Sequence, residues 1–130
     1  MMGFCDRIRP LVLLLAGLLG ACGVGLAAAA THMGGALLGP ASAMCLAHAP
    51  AMLALFAGHR LIRTATGAGV LMGVGTLLFA GDLVLKQFYG AGLFSMAAPT
   101  GGILMMAGWL MAGIGAFLPA PGPDRPAPHQ

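Results

Sequence analysis

The stretch LAGLLGACG, residues 15–23, decides the architecture of this chain, because it admits two readings. Leu19-Gly20-Ala21-Cys22 has the form of a lipobox, where a bacterial lipoprotein is cut before a cysteine that then carries lipid. The same letters make an ordinary small-residue face in the first of several membrane helices. Length separates the two. A signal h-region needs about 7–15 apolar residues, and residues 11–21 supply them. The apolar run nevertheless continues through GVGLAAAA, residues 23–30, to the roughly 20 residues that cross a bilayer. A retained helix needs that continuation and a lipoprotein signal does not. The sequence therefore predicts a retained first span, with lipoprotein-type processing at Cys22 as the alternative.

Composition points the same way. Of 130 residues, 59% are hydrophobic and only 7% charged, and the mean hydropathy is +0.95. Soluble domains carry about 25% charged residues, so a water-facing surface cannot be assembled from this chain. The net charge of +3 is small and scattered, with no basic block and no aromatic platform for stacking bases, which excludes nucleic acid as a partner. Cys5, Cys22 and Cys45 are odd in number and lie in or beside apolar runs. No disulfide framework is indicated, and Cys22 and Cys45 are expected to be buried, inert thiols.

Outward from residues 15–23, four apolar stretches of near-bilayer length appear, at about 11–30, 41–58, 65–85 and 99–118. Their links are short: THMGG (31–35), HRLIRT (59–64) and KQFYGAGLFS (86–95). Short links make neighbours antiparallel, so the expected fold is an all-α, up-down-up-down four-helix bundle in the membrane. Residues 1–10 form a short N-terminal segment, and the proline-rich residues 119–130 a disordered tail. Arg7, Arg9, Arg60, Arg63 and Arg125 fall on one side of such a bundle and only Lys86 on the other. That bias places both termini in the cytoplasm and the bundle in the inner membrane. Gly17, Ala21 and Gly25, at four-residue spacing, are the expected packing face of the first span, with Gly69 and Gly73 serving the third.

Most of residues 11–118 resembles a known family, specifically so in the last third. GTLLFAGDLVL (75–85), followed by APTGGILMMAGWLMAGIGAF (98–117), is similar to the four-span membrane family called domain of unknown function 423, which includes the transmembrane protein 256-like proteins. The family's Gly-x-x-x-Phe-Ser-Gly-Ser stretch corresponds to Gly75, Phe79 and Gly81. Its Pro-x-Gly-Gly turn corresponds to Pro99, Gly101 and Gly102, and its Gly-Trp pair to Gly108 and Trp109. CLAHAPAMLAL (45–55) resembles the family's His-Ala-Leu-Ala-Leu segment and places His48 on its histidine. Asp82 stands where the family usually has serine, and Pro50 where it usually has leucine. The resemblance implies four spans with the first retained, and no established activity.

Ionisable groups inside a membrane are where function is sought first. His48, near the middle of the second span, is expected to be a neutral imidazole bonded to another helix; the alternative is a proton relay or ligand. Pro50 leaves the carbonyl of Leu46 without its helical partner, so a small polar pocket beside His48 is a further possibility. Asp82 lies four residues before Lys86 on one helix face, and is expected to form an interfacial ion pair with water in reach. Met44, His48 and Met52 line one face with Cys45 adjacent, a donor set that suits Cu(I). No second mid-span histidine exists for haem. There is no Ser/His/Asp set, no carboxylate pair and no phosphate loop. The reading is therefore a non-enzymatic structural or accessory membrane component without cofactor, self-associated or within a larger complex. The alternative is a solute or metal-ion handling protein using His48 and Asp82.

Overall fold

A computed structural model describes residues 3–122 and contains four long α-helices, with no strand among the described residues. They are α1 (Phe4–Met33), α2 (Leu38–Ala57), α3 (Ala65–Tyr89) and α4 (Ala97–Ile114), the last running into a short 3-10 turn, Gly115–Phe117. The expected all-α bundle of four membrane-capable helices is thus present. Residues 123–130, most of the proline-rich tail, lie outside the described residues, as does Arg125.

The first helix differs at its start from the expectation. Residues 4–10 form the first turns of α1, and Pro10 lies inside the helix. Local polar bonds explain the early start. Gly3 N–H donates to Asp6 Oδ2 at 3.1 Å, and Arg9 reaches back to Asp6 Oδ1 at 2.7 Å, so the first turn is held before the proline arrives. The helix then runs unbroken through Cys22 to Gly34, where φ of +72° ends it in a region that favours glycine. Gly90, at φ +73°, closes α3 in the same way, its N–H donating to Lys86 O at 3.0 Å. Pro40 and Pro99 are each the third residue of their helices, where the backbone N–H groups have no intrahelical partner to lose.

Consecutive helices pack against one another, and α1 also touches α3. The inward face of α1 is Val12, Ala16, Leu19 and Gly23. This corrects the expected stripe: Gly17, Ala21 and Gly25 face outward, and a Cβ at Gly17 or Gly25 would meet nothing within 4 Å. Fit between small and large residues decides which stripe turns inward. Leu46 of α2 sits so close to Gly23 that a Cβ there would lie 2.8 Å from it. Conversely, Val12 and Leu15 of α1 fill the space over Gly69 and Gly73, the expected packing face of α3. Cys22 is exposed, not buried as expected, because it lies on the outer face; Cys45 is buried.

The outside of the bundle is apolar. Leu14, Leu18 and Val24 of α1, Leu53 of α2, Leu77 of α3, and Ile103, Met106 and Leu110 of α4 are all exposed. Such a surface is unfavourable in water and matches lipid tails. At 1.5 Å per residue, the 30 residues of α1 span about 45 Å, more than the roughly 30 Å hydrocarbon core, so its ends reach the headgroup layers.

Candidate functional site

Few polar residues are buried in the bundle, and Ser42, His48, Thr76 and Asp82 are each bonded. Ser42 Oγ donates to Gly23 O of α1 at 2.7 Å. Thr64 Oγ1, just before α3, donates to Met111 O of α4 at 2.7 Å. Thr76 Oγ1 donates to Met72 O within α3 at 2.7 Å. In a lipid medium an unbonded hydroxyl is costly, so two of these three also tie neighbouring helices together.

His48 is buried and bonded at both ring nitrogens. Nδ1 lies 2.8 Å from Met44 O, and Trp109 Nε1 donates to Nε2 at 3.1 Å. A carbonyl only accepts and an indole N–H only donates. The proton therefore sits on Nδ1, and the Nε2 lone pair is occupied. A metal at Nε2 would first have to displace Trp109. The structure brings Met44 to His48 through its carbonyl, and Met52 is fully buried in the core. The groove beside Pro50 is lined by Leu13, Ala16, Gly17, Gly20, Ala49 and Leu53. It is apolar.

Trp109 was visible in the sequence, but not as the partner of His48. Counting would have found it. His48 is ten residues from the start of α2, about 15 Å, and Trp109 twelve from the start of α4, about 18 Å. Both helices begin at the same end of an up-down bundle, so the two side chains lie at matching depth.

Asp82 corrects the interfacial picture. It does pair with Lys86, Nζ to Oδ2 at 2.6 Å, but Asp82 itself is 0% exposed. Its second oxygen accepts the N–H of Leu93 at 2.9 Å. The α3–α4 link, residues 90–96, folds back over the carboxylate, and a Cβ on Gly92 would overlap Asp82 Oδ1. Sequence distance along α3 gave no sign of this, since the covering residues come from a loop ten residues on. Asp82 thus fixes a loop, with both oxygens engaged.

Three of the glycines named by resemblance, Gly75, Gly101 and Gly108, form the contact between α3 and α4. A Cβ on Gly75 would lie 2.6 Å from Gly101 O, and one on Gly101 would lie 2.5 Å from Gly75 O. At Gly108 it would lie 2.7 Å from Met72 Cγ. Phe79 presents its backbone N to Gly101. Gly81 and Gly102 make no such close approach. The backbones of α3 and α4 meet directly at Gly75 and Gly101, the close approach that replaces hydrophobic drive within lipid.

Fold and apolar exterior define a small all-α bundle with four membrane-capable helices. Within that class the chain belongs to the family described as "Protein of unknown function (DUF423)", which matches residues 19–102. The matched region includes His48, Gly75, Asp82 and Gly101 and stops short of Gly108 and Trp109. No curated protein and no solved structure gives a match.

Proposed function

We propose that this protein is a structural or accessory component of the inner membrane, without enzymatic activity or cofactor, acting with further copies of itself or within a larger membrane complex. One observation carries the reading: the intramembrane groups best suited to chemistry, His48 and Asp82, have their ring nitrogens and carboxylate oxygens taken by intramolecular bonds. A residue whose lone pairs hold helices and loops in place is poorly placed to turn over a substrate. Both termini face the cytoplasm in this reading, supported by the gathering of Arg7, Arg9, Arg60 and Arg63 toward one end of the bundle and Lys86 toward the other.

The test is a comparison of abundance with phenotype. Substituting His48→Leu or Asp82→Asn should impair cells only as far as it lowers the amount of inserted protein. A variant inserted at wild-type abundance with its cellular function abolished would overturn the structural reading. Affinity capture of the full chain in mild detergent should recover stoichiometric membrane partners or further copies. Reporter fusions after Gln130 and within KQFYG should report opposite sides of the membrane.

A further inference from the structure

At the end of the bundle where α1 begins lies a cavity of about 790 Å³, formed by the start of α1, the α2–α3 link, the start of α3 and, from beyond α4, Pro121 and Gly122. Its polar lining includes Asp6, Arg9, His59, Arg60, Arg63 and Thr66. Among the described residues the charge there is unbalanced. Asp6, the single carboxylate in the lining, is already taken by Arg9 at 2.7 Å. The other carboxylate among the described residues, Asp82, pairs with Lys86 at the far end of α3. Arg60 and Arg63 make no ion pair among the described residues, and Arg9 Nε is buried there without a hydrogen-bond partner. Three guanidiniums around one cavity repel one another unless an anion joins them, and their planar forks suit the oxygens of a phosphate.

The rim indicates the source of that phosphate. Phe4, Leu61 and Phe117, at the same end, are exposed at 78%, 76% and 88%. Leu61 stands between Arg60 and Arg63 in the same short link. Helix ends at this level belong to the headgroup layer, where basic pockets between helices hold lipid headgroups and apolar rim residues meet the first acyl carbons.

We propose that this cavity binds the phosphate of an anionic phospholipid headgroup, with Arg9, Arg60 and Arg63 as its ligands. The proposal is independent of the accessory role and of which leaflet this end occupies.

The full chain, purified in nonionic detergent, is offered phosphatidylglycerol, phosphatidylcholine or inorganic phosphate, and bound molecules are counted by native mass spectrometry. One phosphatidylglycerol per chain should be retained in preference to phosphatidylcholine, and millimolar phosphate should not replace it. Arg60→Gln with Arg63→Gln should weaken retention on the order of thirty-fold, each direct arginine–phosphate pair lost counting for roughly fivefold. Arg60→Lys with Arg63→Lys should keep part of it. Arg7→Gln removes a charge at the same end without touching the cavity lining, and should change retention less than twofold. Circular dichroism of each variant in lipid-free detergent confirms the helical fold. Equal retention of phosphatidylcholine, equal loss in Arg7→Gln, or full occupancy by inorganic phosphate alone would each overturn the proposal.

Discussion

Gly101 and Gly102 are adjacent in one helix, and the structure assigns them opposite responses to the same change. Replacing Gly101 by alanine sets a Cβ 2.5 Å from Gly75 O and 2.6 Å from Phe79 N, both backbone atoms of α3. No side chain can swing away, so α4 must retreat from α3 by roughly 1 Å to regain ordinary contact, and a gap of that size forfeits a quarter to a half of each affected dispersion well. Overpacking of this kind costs about 1–3 kcal/mol. At Gly102 the new Cβ meets nothing within 4 Å. Both variants share the same gain in helix propensity, up to about 1 kcal/mol, so their difference isolates the steric contribution. Gly101→Ala should therefore be less stable than Gly102→Ala by about 1–3 kcal/mol, read from unfolding of the purified chain in mild detergent by circular dichroism. Adding Gly75→Ala to Gly101→Ala should cost less than the sum of the two, because the first separation already makes room for the second. Equal stability of the two single variants would refute the direct backbone contact.

Trp109→Phe removes the donor to His48 Nε2 and should cost only about 0.6 kcal/mol, typical of interhelical hydrogen bonds in membranes; the sharper readout is nitrogen NMR, where wild-type His48 should be the neutral Nδ1–H tautomer, and a proton on Nε2 would contradict the assigned bond. Asp82→Asn should loosen residues 90–96, seen as faster hydrogen exchange and protease cutting in that link, since the amide cannot hold Lys86 and Leu93 as the carboxylate does; unchanged protection there would mean the loop is held by other contacts. The intact mass of membrane-extracted protein should include the residues before Cys22 and no acyl chain, because Val12, Ala16 and Leu19 belong to the core; a chain beginning at an acylated Cys22 would sink the four-span bundle.

The number of helices, their approximate limits and their setting in lipid follow from the sequence alone. Four apolar runs of bilayer length separated by short links leave no other arrangement, because backbone hydrogen bonds within lipid must be satisfied inside each segment. Gly69 and Gly73 were legible as a packing face for the same reason, as small residues at helical spacing. Rotation of each helix about its axis was not. α1 carries two stripes of small residues, and only Leu46 of α2, seated on Gly23, and the hollows at Gly69 and Gly73 of α3, filled by Val12 and Leu15, select the inward face over Gly17 and Gly25. Partners of the polar groups were equally hidden. Trp109 meets His48 from a helix 61 residues away, and Leu93 covers Asp82 from a loop. The arginine cavity gathers residues from both ends of the chain and its middle. Periodicity within a helix is a local property written in consecutive residues. Which face turns inward, and which polar atoms meet, depends on distances between segments that exist only once the helices have packed.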